Sequence, residues 1–411
     1  MNEKMLGQYA RLVIGVGVNL QKKQTLVVGC PVECAYFARM LTDAAYEAGA
    51  KDVIINWRDD YCSRQHWLHA DDSLFDEIYA WDSLQRNTLA REGAAYVAIS
   101  ASNPENLKGV DPERLRRWEI AAGRDMKEAY DLQMSNGYPW CVVSIPVVSW
   151  AKKVFPGLTD NEAMDKLWGE IFKAVRITEE GDAVAEWKEH CSRLETKAKE
   201  LNEYRFKSLH YTNSLGTDLT VDMPEDHVWM AGGDTTKSGI HFVANMPTEE
   251  IFSAPLRNSI NGVLYASKPL VVNGNIVKGI KFTFKDGRIV ELHADEGEDT
   301  LKAAVGTDEG SHYLGEIALV PYDSPISNSG VLFFNTLFDE NASCHFAFGK
   351  AYPSCIKGGE DMDMEELIAH GINGKSNTHV DFMVGTDDLS IIGITHDGRE
   401  IPVMNKGNFA F

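Results

Sequence analysis

No stretch of this 411-residue chain stays apolar for long enough to cross a bilayer, which excludes a helical membrane protein. Basic residues are in short supply. Forty Lys and Arg stand against 61 Asp and Glu, and the net charge of −21 argues against nucleic acid as a partner, because phosphate binding needs a basic face. The seven cysteines, at 30, 34, 62, 141, 191, 344 and 355, are odd in number and scattered, so no disulfide framework is expected. Cys30 and Cys34 sit in an apolar strand-to-helix stretch and read as packing residues rather than a metal pair. The first residues run straight into an amphipathic helical pattern without a signal-peptide core, and a reducing cytoplasm is the expected compartment. Internal repeats, low-complexity tracts and coiled-coil heptads are also missing. Two near-motifs fail on context. Gly15-Val16-Gly17 precedes the first strand and lacks the third glycine of a dinucleotide fingerprint. Gly374-Lys375-Ser376 lacks the upstream glycine of a phosphate loop, position 369 being Ala.

What remains is an ordinary globular composition, 44% apolar and 25% charged, in a chain longer than one core usually supports. Two domains are expected, 1–185 and 186–411. In the first, residues 6–20 read as a helix that frays near its glycines. Strand patterns at 25–29, 52–57, 95–99 and 140–144 alternate with helical ones at 32–48 and 111–130, the former stopping at Gly49. That order predicts an α/β domain with a mainly parallel sheet. Residues 161–175 and 183–203 read as helices, the second a charge-alternating connector with a solvated face. Beyond it, turn signals at Leu215-Gly216-Thr217-Asp218, Val272-Asn273-Gly274, Lys285-Asp286-Gly287-Arg288 and His396-Asp397-Gly398-Arg399 separate strand-like runs. The second domain is therefore expected to be α+β, rich in antiparallel strands, with short helices at 297–306 and 363–370.

The second half also holds the chemistry-bearing residues. In Thr378-His379-Val380-Asp381-Phe382-Met383-Val384, strand alternation puts His379, Asp381 and Met383 on one face and Val380, Phe382 and Val384 on the other. A His and a carboxylate two residues apart on one strand face grip the same cation, or pair with each other. Glu316 opens an apolar strand-like run, and a carboxylate is seldom buried without a partner. His345 and Tyr352 lie between them; taken alone, His345 reads as an ordinary packed histidine and Tyr352 as a core or interface residue. Upstream, Asn245 to Pro255 reads as an irregular loop fixed by two prolines, with the adjacent acids Glu249 and Glu250 inside it. Either acid satisfies the spacing of a ligand. His66 and His69 have no comparable acid cluster and read as structural. Together the oxygen and nitrogen donors suit zinc, cobalt or manganese. Several carboxylates beside two imidazoles are also enough to hold two such ions, with one carboxylate bridging. A general base is still needed, and the spare member of Glu249/Glu250 is the candidate.

Asn-Met-Pro-Thr-Glu-Glu-Ile-Phe-Ser-Ala-Pro at 245–255, Leu-Gly-Glu-Ile-Ala at 314–318, the stretch from His345 to Tyr352 and Thr-His-Val-Asp-Phe-Met-Val at 378–384 resemble the thermophilic metalloprotease family of leucyl aminopeptidases, the aminopeptidases T, S and II. The likeness extends into the first half, through Gln24 to Val28 and Ala44 to Ala50, and Ser253 stands where many relatives have Thr. The resemblance implies a metal-dependent aminopeptidase acting on peptides with a free N-terminus, with two divalent ions in the C-terminal domain. It also implies a homodimer whose active sites face an enclosed cavity. By the same resemblance Glu250, Glu316, His345, Tyr352, His379 and Asp381 are the ligands, Glu250 being chosen over Glu249 on that ground. Glu249 and Glu316 are the residues expected to act in catalysis. Two other readings stay open: a metal- or peptide-binding homologue without catalysis, and a two-metal hydrolase of non-peptide amides.

Overall fold

The computed structural model describes residues 2–272 and 275–411, which form two compact units. Residues 1–191, 233–248 and 332–337 make the first, and 192–232, 249–331 and 338–411 the second. The change of unit at Cys191/Ser192 falls inside the helix Ala183–Tyr204. Among the described residues no helix is long and apolar enough to cross a membrane.

The first unit is built on five strands in the order Asn245–Met246, Trp140–Ser144, Ala95–Ser100, Thr25–Pro31, Asp52–Arg58, all paired in parallel, as the alternation of strands and helices predicts. Helices form where apolar residues recur at three and four. In Asp160–Ala174 the buried set is Ala163, Leu167, Trp168, Ile171, Phe172 and Ala174, and a Thr159/Glu162 capping box starts the helix. Ala35–Glu47 stops before Gly49, whose φ of +92° favours glycine. Cys30 and Cys34 are free and fully buried. Gly17 closes a π-turn, Val13–Gly17, and a Cβ there would lie 2.9 Å from the Cys141 Sγ, so its smallness serves packing.

Three details differ from expectation. The pattern over 111–130 is two helices, Pro112–Asp125 and Lys127–Met134, broken at Met126. The charge alternation of Ala183–Tyr204 hides a buried stripe (Trp187, Cys191, Leu194, Ala198, Leu201), so only its other face is solvated. The stretch 245–255 is not a free loop. Asn245–Met246 lies parallel to Trp140–Ser144, Ile251–Ser253 lies antiparallel to Leu314–Leu319, and 247–250 and 254–255 are without strand pairing. Pro247 and Pro255 interrupt pairing at their own positions, while the fully buried Met246 and Ile251 draw their neighbours into the sheets.

Among the described residues the second unit holds two large antiparallel sheets and a two-stranded one. The larger runs Arg288–His293, Lys281–Lys285, Asn261–Tyr265, Asp218–Asp222, Ser208–Thr212, Ser390–Ile394, Glu400–Asn405, Asn408–Phe409. Asp286 (φ +51°) and Gly287 (φ +81°) form the tight turn between its first two strands. Position 287 must be glycine, because a Cβ would come 1.7 Å from the Arg257 carbonyl oxygen. Of the expected Val272-Asn273-Gly274 turn, Asn273 and Gly274 lie outside the described residues; the flanking strands Leu270–Val272 and Asn275–Val277 pair antiparallel. The smaller sheet has the order His379–Met383, His345–Gly349, Leu314–Leu319, Ile251–Ser253, Met230–Ala231. One of its faces gives Ile317, Phe346, Phe348 and Phe382 to the core, where Phe382 meets Phe282 at 5.0 Å between ring centres and Phe346 meets Tyr211 at 5.1 Å. Each such ring, fully buried, stabilises the fold by about 1.5–3 kcal/mol. The opposite face is left for polar side chains.

Candidate metal centre

Strand pairing puts the donors on that second face. Paired residues across a sheet share a face, and here Glu316 pairs with Ala347, which pairs with Asp381. The next row is Phe252, Ala318, His345, Met383, and His379 pairs with Gly349. Glu250, two residues before Phe252 and just outside the strand, reaches the same side, its Oε2 meeting the His345 ring. Strands two apart are about 9–10 Å from each other at the backbone. The carboxylates of Glu316 and Asp381 therefore approach by leaning over the small side chain of Ala347.

Two groups of donors result: Glu250, Glu316 and His345, and Glu316, His379 and Asp381, each with ligand atoms within 4.8 Å of one another. The His345 Nε2 lies 3.2 Å from Glu250 Oε2 and 3.5 Å from Glu316 Oε1. The His379 Nε2 lies 3.4 Å from Glu316 Oε2 and 3.3 Å from Asp381 Oδ1. Both rings are fixed from behind: His345 Nδ1 donates to the Ser343 carbonyl (3.1 Å) and His379 Nδ1 to the Lys350 carbonyl (2.7 Å). A carbonyl only accepts, so Nδ1 carries the proton and Nε2 is turned to the carboxylates, the arrangement that orients a metal-binding imidazole. The His345 side chain is 1% exposed and that of Glu316 6%, whereas His379 keeps 24% and faces solvent.

Crowding of like charge shows in the titration behaviour. Burial raises the Glu316 carboxyl despite the hydrogen bond from His345. Burial works against charging His379, yet Asp381 and Glu316 outweigh it and raise the imidazole to about 10. His345 is raised well above its usual value in the same way, by Glu250 and Glu316 against burial. Burial would lift Asp381, but His379 and His345 hold it below the usual carboxylate range. The cluster thus calls for positive charge. Two donors about 2.1 Å from a tetrahedral ion are about 3.4 Å apart, which matches the nitrogen-to-oxygen spacings here. The residues fit a divalent metal. Cys344 takes no part, since its Sγ donates to the Val320 carbonyl at 3.2 Å and belongs to the core.

Of the sequence-derived candidates, Glu250, Glu316, His345, His379 and Asp381 are brought together. Tyr352 stands beside them, its ring 5.2 Å from that of His379 and 5.9 Å from that of Phe252. Burial, then the charges of Glu316 and Asp381, raise its hydroxyl well above the usual value. Glu249 belongs to neither donor group; its backbone N–H donates to Asn341 Oδ1 at 2.7 Å. Glu340 is an addition. It is buried in the turn Glu340–Ala342, and burial followed by the charges of Asp381 and Glu250 raises its carboxyl well above the usual range. The only sequence signal was an acid pair, Asp339-Glu340, shortly before His345.

An α/β unit joined to an antiparallel unit, one sheet of which carries a buried, sulfur-free set of candidate metal donors, has the build of a metalloprotein. The chain belongs to the thermophilic metalloprotease (M29) family, whose pattern matches residues 2–409. It is 47% identical to aminopeptidase AmpS of Bacillus subtilis (strain 168) over 406 residues, covering 99% of this chain and 98% of the relative. It is 43% identical to aminopeptidase 2 of Geobacillus stearothermophilus over 409 residues, covering 100% and 98%. The solved structure of wild-type AmpT from Thermus thermophilus superposes with a TM-score of 0.91 at 38% identity, over 100% of both chains.

Proposed function

We propose that the protein is an aminopeptidase that removes N-terminal residues from peptides, working with two divalent ions (zinc, cobalt or manganese) and acting as a homodimer. The observation that carries the two-ion reading is Glu316, whose two oxygens each approach a different imidazole, so that one carboxylate belongs to both donor groups. Glu250, Glu316 and His345 would hold one ion, and Glu316, His379 and Asp381 the other, with Tyr352 at the edge of the set. Ions bound there supply Lewis acidity, which polarises a carbonyl and makes water a better nucleophile.

The chain's own groups do the rest. The Nδ1–H bonds of His345 and His379 keep both Nε2 atoms aimed inward, so no reorientation of either ring is needed when an ion binds. Glu250, Glu316, Glu340 and Asp381 make the site strongly acidic. A peptide's α-amine, half or more protonated near neutral pH, is attracted there, and an acylated terminus is not. Glu249 is the residue proposed to move the proton between water and the departing amine, next in sequence to the ligand Glu250.

Hydrolysis of aminoacyl-p-nitroanilides before and after chelation tests this reading. Activity should vanish in chelator, return with zinc, cobalt or manganese, and be absent toward N-acetylated substrates. Undiminished turnover in chelator, or equal cleavage of blocked substrates, would overturn it.

A further inference from the structure

Glu249 and Glu250 stand just ahead of the strand Ile251–Ser253, before its ladder of pairs begins. A ligand carboxylate must be presented from a fixed backbone, since a small displacement of its Cα moves both oxygens relative to the imidazole they face. The support for this segment comes from far away in sequence. Asn341 is 0% exposed, and its Oδ1 accepts the Glu249 N–H at 2.7 Å. Its Nδ2 lies 3.5 Å from Glu340 Oε1, at the limit of a hydrogen bond. Asn341 sits in the turn Glu340–Ala342, which leads into the strand that begins with His345. A single buried amide therefore joins the backbone before Glu250 to the segment that carries Glu340 and leads to His345.

The residue type fits that task. A buried amide group is retained only where its hydrogen bonds are made, because its desolvation is otherwise uncompensated.

We infer that Asn341 is a positioning residue of the metal centre: its side chain fixes the backbone at Glu249 and so the point from which Glu250 reaches His345. This rests on the metal-centre reading above. It assigns to Asn341 no contact with substrate or ion.

The test is competition for zinc between a chromogenic chelator and the metal-free full-length protein. Asn341→Ala, folded by circular dichroism, should lose about 10–100-fold in zinc affinity, the usual effect of removing an outer partner of a ligand. Asn341→Asp keeps an oxygen that accepts the Glu249 N–H and should regain most of that loss. Parental affinity in Asn341→Ala overturns the inference, and so does a loss in Asn341→Asp as large as in Asn341→Ala. Should Asn341→Ala not fold, hydrogen exchange at the Glu249 amide decides: protection in the metal-free parent and in Asn341→Asp supports the clamp, and exchange at the unprotected rate in the parent overturns it. A parent that binds no zinc overturns the metal-centre reading and this inference with it. A parent that binds zinc as tightly as both variants overturns this inference alone.

Discussion

Glu316 is where the chemistry of single residues is most exposed to test. Its charge faces both imidazoles, so Glu316→Gln removes the charge that the two donor groups share and turns one of its two oxygens into an amide nitrogen, while keeping shape. Activity should fall by more than the roughly 10–100-fold that an outer partner costs, with circular dichroism unchanged and bound metal reduced. His66 is the contrast. Its ring packs against Trp67 and Phe75, and His66→Ala should leave kcat/KM within about twofold, since that change touches packing and none of the proposed ligands. At this scale the sequence was readable wherever one strand carried the information. His379 and Asp381 share a face by parity, and Glu316 stood out as an acid at the head of an apolar run. Glu340 was not readable, because a short turn has no period to mark an inward side chain. Tyr352 was legible only through the family likeness; nothing in its spacing distinguishes it from an interior tyrosine.

Elements decide how those residues meet. Ala347 is fully buried, and it separates Glu316 from Asp381 in their shared row. Ala347→Val would put two methyl groups into the space over which those carboxylates converge. The expected result is a loss of metal affinity out of proportion to a destabilisation of about 1–3 kcal/mol, checked by zinc titration alongside denaturant unfolding. Elsewhere, Asp125 ends the helix Pro112–Asp125, where Arg124 and the Ile78 N–H hold its carboxyl down at about 2. A depressed folded value means the stabilising contribution is complete above the unfolded value near 3.9 and disappears as pH falls through about 2. Asp125→Asn should therefore lower the unfolding midpoint at pH 7 and bring it toward the parent's below pH 2, with most of the change between pH 4 and 2. Long helices and the four first strands were legible because each repeats its period several times. Strands of two or three residues, such as Asn245–Met246 and Ile251–Ser253, contain too few positions to show one, and proline made them look like loop.

Across the whole molecule, the proposed ligands run from Glu250 to Asp381, on or beside strands that meet only when the smaller sheet of the second unit has formed. An ion bound there is bound by the folded state alone, so it should stabilise the protein by linkage: about 2.7 kcal/mol when free metal is 100 times the dissociation constant. Scanning calorimetry should show a higher midpoint in zinc than in chelator, and the difference should disappear in Glu316→Gln. An unchanged midpoint would count against a site made by folding. The parallel and antiparallel classes of the two sheets followed from the order and turns of the chain. The meeting of segments 66 residues apart (Glu250 and Glu316) did not, because strand partners are chosen by tertiary packing.

Glu249 and Glu250 are the same amino acid, side by side, and Glu250 has an oxygen 3.2 Å from the His345 imidazole. What separates them is odd and even. The strand that follows commits Phe252 to the face of Ala318 and His345, and Ser253 to that of Ile317. Counting back in twos from Phe252 reaches Glu250, just outside the strand. Exchanging the two side chains would change nothing. Deleting the one residue between Glu250 and Phe252 should hand the place beside His345 to Glu249, so the identity of the ligand is written in the count of residues and not in their names.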